Sequence, residues 1–277
     1  MTQPVTLTAA LTGPIATKAN NPDLPTTPEE IAASAEAAAA AGAAVVHVHL
    51  RDEQERPTAN LDTARRVMHA IGERTDALIQ LSTGVGFGVD YDDRAALVEV
   101  RPEMATLNVC SMTFGVSELR NPPDKVRKLA ARMLELGVKP ELEIYDTGHL
   151  EFALKLFAEG LLAEPLQFSI VLGVNGGAPP TPEQLLAMVA RLPAGSLWQV
   201  VAIGAPNLSL TTIGLAIGGN ARSGLEDTLM VRRRVLASSN AELISRLAAV
   251  ATTLDRPING PQDVREALSV GMRTGHV

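Results

Sequence analysis

Strand-sized apolar runs alternating with helical patterns predict a (β/α)8 TIM barrel. Three observations carry that expectation. Eight strand–helix alternations recur at intervals of about 35 residues, the size of a βα unit. Of 277 residues, 46% are hydrophobic but only 3% aromatic, so the core is built from Ala, Val, Leu and Gly, as buried parallel sheets are. Glycines also gather where the strands end: Gly84-Val85-Gly86, Gly173, Gly204 and Gly218-Gly219. Small residues there let loop backbone approach a ligand at the C-terminal rim.

Residues 5–12 form the first apolar run. Thr27-Pro28-Glu29-Glu30 then reads as a helix start, with Thr as N-cap, Pro in the first turn and acids at the positive helix end. That helix continues through an alanine-rich stretch to a glycine stop at Gly42. The second strand is expected at 45–50 and the second helix at 61–74. Further strands are expected at 78–82, 104–109, 141–145, 168–172, 198–203 and 221–225. Helices fall between them at 92–100, 123–136, 150–159, 182–191 and 208–216, and a last one follows at 241–254. An open, doubly wound sheet is the competing architecture, but the first turn, Leu11-Thr12-Gly13-Pro14, lacks the glycine spacing such folds use for dinucleotides. No linker or charge run divides residues 1–277, so one barrel domain is expected.

The net charge of −7 argues against nucleic acid or an anionic membrane as partner, since both require a basic surface. The single cysteine, Cys110, rules out an intrachain disulfide or a thiolate metal cluster. The N-terminal residues carry no basic segment or long apolar stretch, and no run approaches a membrane span, so a cytoplasmic protein is expected.

Chemistry concentrates at two strand ends. His47 and His49 stand at i and i+2, so both imidazoles point to one face. Two imidazoles plus a carboxylate from another strand are the usual protein ligands of an open catalytic zinc. A pair of histidines bonded to neighbouring carboxylates is the structural alternative. The second cluster is Arg222 with Glu226 and Asp227, four and five residues later. Glu226 and Asp227 face opposite ways if the strand continues, which implies a division of labour: one to a metal, the other a free base. A solvated acidic pair capping the next segment is the alternative here.

Ser82, Thr83 and Gly84 make a hydroxyl and amide cradle suited to a carboxylate, to which Thr106 and Asn108 add polar groups from the next strand. On the fifth strand Glu143 is placed to face Arg222, whereas Glu141 is expected to be solvated at the strand start. His69, His149 and His276 read as ordinary surface or packing residues. Cys110 has no cationic neighbour to activate it, and neither a serine nucleophile elbow nor a Walker lysine is present. Metal-assisted chemistry on a small anionic substrate is what these residues point to.

In combination, several segments resemble the β-keto acid cleavage enzymes, the family of 3-keto-5-aminohexanoate cleavage enzyme. They are Pro22 to Glu30, Gly42 to Asp52, the Ser82-Thr83-Gly84 turn, Met104 to Asn108, Pro140 to Asp146, and Arg222 to Asp227. The resemblance implies a barrel, a zinc on His47, His49 and Glu226, and condensation of a β-keto acid with acetyl-CoA to give acetoacetate and a new acyl-CoA. It implies Asp227 as the base, Arg222 as its partner, and Ser82, Thr106 and Gly84 as binders of the substrate carboxylate. It also implies a homo-oligomer such as a tetramer. The loop from Gly173 to Gly177, with Asn175 and Gly176, is then a place for CoA to cross the rim.

Two departures stand out. Asn220 occupies a position where the family commonly has histidine, and residues 13–18 carry Lys18 but no acid, which disfavours a cationic 5-amino substrate. A zinc-dependent aldolase or hydrolase without CoA is the second expectation, and a barrel that merely binds a metabolite the third.

Overall fold

A computed structural model describes residues 3–271. The elements in chain order begin β1 (Leu7–Thr12), α1 (Pro28–Ala40), β2 (Val45–Val48), α2 (Leu61–Gly72), β3 (Leu78–Leu81), α3 (Tyr91–Ala95), a 3-10 turn (Ala96–Val100) and β4 (Met104–Asn108). They continue through a hairpin, β5 (Met112–Phe114) and β6 (Ser117–Leu119), to α4 (Pro123–Leu136), β7 (Lys139–Ile144), α5 (Thr147–Ala158), β8 (Gln167–Leu172), α6 (Pro182–Val189), β9 (Leu197–Ala202), α7 (Asn207–Ala216) and β10 (Asn220–Ser223). A second hairpin, β11 (Met230–Arg232) and β12 (Val235–Leu236), precedes α8 (Asn240–Thr253) and α9 (Pro261–Leu268).

The expected barrel is present. Eight parallel strands close in the order β1-β10-β9-β8-β7-β4-β3-β2, with β1 pairing to both β10 and β2. Helix α1 starts as its sequence required: Thr27 Oγ1 accepts from Glu30 N–H at 3.2 Å, and the Glu30 carboxylate accepts back from Thr27 N–H. The main core lies between the outer barrel face and the helices. Leu7, Leu11, Val46, Val48 and Ile79 pack under α1, α2 and α8, while Leu107, Ile144, Phe168 and Ile170 pack under α4 to α6. At the N-terminal end of the barrel, Val45, Leu78 and Met104 pack against Val264 and Leu268 of α9, a helix the sequence reading left unassigned.

Two expectations need correction. Glu141 is buried, because β7 starts at Lys139 rather than 141 and so carries Glu141 into the barrel, where Gln199 Nε2 donates to it at 2.9 Å. The last barrel strand ends at Ser223, and Asp227 N–H and Thr228 N–H both return to the Gly224 carbonyl, so Glu226 and Asp227 sit on a turn. The two hairpins stand in segments to which the sequence assigns no element. His276 lies outside the described residues.

Candidate active site

The C-terminal ends of the strands surround a cavity of about 430 Å3. Strand β2 carries His47 and, just past its end, His49, both buried with ring centroids 5.3 Å apart. Each imidazole has its Nδ1 engaged: His47 with Gln80 Oε1 at 2.6 Å, His49 with the Val85 carbonyl at 3.0 Å. Donation at Nδ1 leaves the Nε2 lone pairs free, and these turn toward Glu226. Glu226 Oε2 lies 3.3 Å from His47 Nε2, and Glu226 Oε1 lies 3.5 Å from His49 Nε2.

Two atoms of this trio, His47 Nε2 and Glu226 Oε2, are buried without a hydrogen-bond partner. One donor atom from each of the three residues lies within 4.8 Å of the others. Ligands about 2.05 Å from a tetrahedral zinc stand about 3.3 Å apart, so the donor set fits such an ion in type, burial and spacing.

Gly13 and Gly224 make this packing possible. A Cβ on Gly13 would sit 2.6 Å from Glu226 Cγ, and one on Gly224 would sit 2.0 Å from the Ala10 carbonyl oxygen. Arg51 fixes the first of these from behind, donating to the Gly13 carbonyl and, at 2.7 Å, to that of Ala16.

Arg222, on β10, is the hub of the charges. Its Nε and Nη2 donate to the Asp227 carboxylate at 3.1 and 2.8 Å, and Nη2 also reaches Glu226 Oε1 at 2.7 Å. Nη1 is 3.9 Å from Glu143 Oε1 and has no hydrogen-bond partner. Burial opposes the charge on Arg222, but Asp227 and Glu226 outweigh it and hold the guanidinium pKa well above its usual value. Burial pushes Asp227 and Glu143 up from the ordinary carboxylate range, with Arg222 opposing in both cases. Burial would also raise Glu226, but His47 and Arg222 keep it well below. The Tyr145 hydroxyl donates to Glu143 at 3.2 Å.

Ser82, Gly84, Asn108, Glu143, Arg222 and Glu226 all line the cavity, and the Asn108 amide has both polar atoms unpartnered. Asp227 is buried behind Arg222 and does not line it. Thr83 and Thr106 also stay outside. Thr83 N–H donates to the Thr106 hydroxyl at 3.0 Å and the Thr83 hydroxyl to the Thr106 carbonyl at 2.8 Å, so these groups tie β3 to β4. Asn175 lines the mouth, its carbonyl accepting from Gly115 N–H, while Gly176 packs so tightly on Thr113 that a Cβ would meet its carbonyl oxygen at 2.1 Å.

Asn220 stands at the other end of β10, where its side chain accepts from Thr6 N–H at 2.8 Å. The histidine replacement is thus remote from the cavity. Lys18 is paired with Glu30 and Glu55 and lines nothing there. Burial raises the Cys110 thiol to about 11, in keeping with an inert role.

Sequence reasoning missed the apolar half of the lining: Ile15, Phe87, Phe114, Val171, Val201 and Ile203. It also missed Tyr145, which the i, i+2 alternation from Glu143 would have flagged.

The model of the beta-keto acid cleavage enzyme family matches residues 4–270. The chain is 35% identical to the 3-keto-5-aminohexanoate cleavage enzyme of Fusobacterium nucleatum over 98% of this chain and 99% of that one. It is 36% identical to the 3-dehydrocarnitine:acetyl-CoA trimethylamine transferase of Rhizobium meliloti, over 99% of each chain. Identity is 34% to the 3-oxoadipate:acetyl-CoA acetyltransferase of Cupriavidus necator, over 98% and 96%. Among solved structures, ObcA bound to oxaloacetate has the same fold, with a TM-score of 0.78 at 24% identity over 90% of this chain and 68% of that one.

Proposed function

This chain belongs to the beta-keto acid cleavage enzyme family, and from that premise we propose that it exchanges acyl groups between a β-keto acid and acetyl-CoA. The products are acetoacetate and the acyl-CoA of the remaining chain. The observation that carries this reading is a His47–His49–Glu226 donor set of which His49 and Glu226 line one cavity together with Arg222 and a polar rim. Relatives named for acetyl-CoA transfer support the same chemistry.

Zinc on those three residues would supply Lewis-acid polarisation of the substrate ketone. The chain's own groups divide the remaining work. Ser82, the Asn108 amide and the Gly84 N–H, which stands 3.2 Å from Ser82 Oγ, hold the substrate carboxylate, and the unpartnered Nη1 of Arg222 serves the same cavity. Asp227 takes the proton from the carbon between ketone and carboxylate, and Arg222 keeps that carboxylate oriented. The new carbanion attacks the acetyl carbonyl and expels CoA thiolate, the thiolate adds to the former ketone carbon, and cleavage of the old carbon–carbon bond gives the acyl-CoA and an acetoacetate carbanion that takes the proton back from the base. CoA crosses the rim beside Asn175 and Gly176.

One observation favours a second assignment of the base. Glu143 lines the cavity and Asp227 does not, so Glu143 can take the proton if Arg222 stays where it is. Exchange of substrate α-protons with deuterated water, without acetyl-CoA, distinguishes them: Asp227→Asn should lose exchange and Glu143→Gln should keep it. The opposite result transfers the role.

The overall proposal is tested by incubating β-keto acids with and without acetyl-CoA. Turnover only with the thioester supports acyl exchange, whereas turnover without it indicates an aldolase or hydrolase. The proposal extends to a single-domain, cytoplasmic homo-oligomer, such as a tetramer. Among the described residues no helix is long and apolar enough to cross a membrane. A monomeric mass at micromolar concentration would remove the oligomer and leave the chemistry.

A further inference from the structure

The cavity has two unlike walls. Every fully charged or imidazole side chain that lines it among the described residues, namely His49, Glu143, Arg222 and Glu226, belongs to the catalytic cluster. Around the closed barrel these groups stand on or just after β2, β7 and β10. On the remaining arc, β8 and β9 offer Val171, Val201 and, just past β9, Ile203. Val171 and Val201 are almost completely buried there and pack with Val174. Beside them the loop after β1 contributes Pro14, Ile15 and Ala16.

The barrel order sets the direction of the substrate. The carboxylate cradle, Ser82, Gly84 and Asn108, lies at the ends of β3 and β4. Counting round the ring, β9 stands opposite β3, and β10 stands opposite β4. A β-keto acid with its carboxylate at β3–β4 and its ketone at the His–His–Glu donors therefore extends its remaining carbons toward Val201, Ile203 and the β1 loop. On the reading of the site as a β-keto acid enzyme, on which this step rests, we infer that the substrate carries an uncharged aliphatic chain beyond its ketone. Val201 and Ile203 are then specificity-determining residues.

Charged chains find no partner on that wall. A terminal carboxylate would meet no uncommitted cation: Arg222 serves Asp227 and Glu226 through Nε and Nη2, and its remaining donor, Nη1, faces Glu143 at 3.9 Å and is the one that the substrate's own carboxylate would use. A terminal ammonium would meet no carboxylate outside the catalytic cluster, since Glu143 and Glu226 are the acids that line the cavity among the described residues, and Glu30 and Glu55 bind Lys18 away from it. Burial of either charge without a partner is disfavoured, whereas each methylene placed on an apolar wall gains about fourfold in affinity.

The test is kcat/KM for acetoacetate release from 3-oxopentanoate, 3-oxohexanoate, 3-oxoadipate and 5-amino-3-oxohexanoate, with acetyl-CoA saturating. The expected order puts 3-oxohexanoate above 3-oxopentanoate by about fourfold, and both at least tenfold above the two charged acids. A charged acid preferred over the aliphatic ones overturns the inference and leaves acyl exchange standing. No acetoacetate from any acid overturns the exchange reading and this inference with it. Val201→Phe provides the second readout. It should cut kcat/KM for 3-oxohexanoate more than for 3-oxopentanoate and leave KM for acetyl-CoA unchanged. A raised KM for acetyl-CoA with unaltered chain preference assigns the wall to the thioester arm and overturns the inference.

Discussion

The barrel buries charge at both ends and treats it in opposite ways. At the N-terminal end both buried guanidiniums among the described residues are matched. Arg265 Nε donates to Glu103 at 2.7 Å and Nη2 to the Asp76 carbonyl, while Arg256 reaches the carbonyls of Gln3, Pro4, Leu215, Gly218 and Gly219. Lys139 donates to the Ala163 carbonyl. At the C-terminal end, His47 Nε2, Glu226 Oε2, Arg222 Nη1 and both polar atoms of Asn108 are buried and left open. Unmet buried polar groups cost stability, and they persist where something else is meant to satisfy them. The first end is built to hold the molecule together, and the second to receive ligands.

That contrast can be broken most sharply at the proposed metal site. Purified protein should contain about one zinc per chain, and His47→Ala or Glu226→Gln should lose metal and activity together while remaining folded. Metal-free protein with full activity would remove the distinction between the ends. The next effect in size is at the proposed base: Asp227→Asn should keep zinc and lower turnover by roughly 10²–10⁴-fold, read by steady-state kinetics alongside metal analysis. At the opposite end the consequences reverse. Arg265→Met breaks the buried 2.7 Å pair with Glu103 and should lower unfolding free energy by about 3–5 kcal/mol, with turnover per folded molecule unchanged.

The smallest expected effect sharpens the comparison through pH. Burial lowers Lys139 from 10.5 to about 8. The folded chain therefore loses this proton before the unfolded chain does, and Lys139 weakens the fold most below pH 8. Its contribution improves as pH rises from about 8 toward 10.5. Lys139→Met should raise the melting temperature at pH 7 and lose that advantage across this window, as calorimetry at several pH values would show.

Much of this was legible in the residues. The barrel strands are buried on both faces, so they read as apolar runs, and helix α1 announced itself through Thr27, Pro28 and Glu30. The His47–His49 pair was visible because strand alternation alone brings both rings together. What failed had local physical causes. Starting β7 two residues late put Glu141 in solvent. The β11–β12 hairpin turns through Arg233 and Arg234, the latter at φ +62°, with no glycine or asparagine to mark it. Thr83 and Thr106 have the right chemistry for a ligand but spend it on each other, a cross-strand pairing that no spacing encodes. The Val171–Val201–Ile203 wall was hidden for the opposite reason: apolar residues on a strand look like core until closure of the ring shows which of them face the cavity.

The most direct test of acyl exchange follows a carbon atom. Enzyme given an unlabelled β-keto acid and acetyl-CoA carrying 13C at the acetyl carbonyl should release acetoacetate labelled at its ketone carbon, with CoA on the unlabelled remainder. Unlabelled acetoacetate, or labelled acetate with free CoA, would contradict the account.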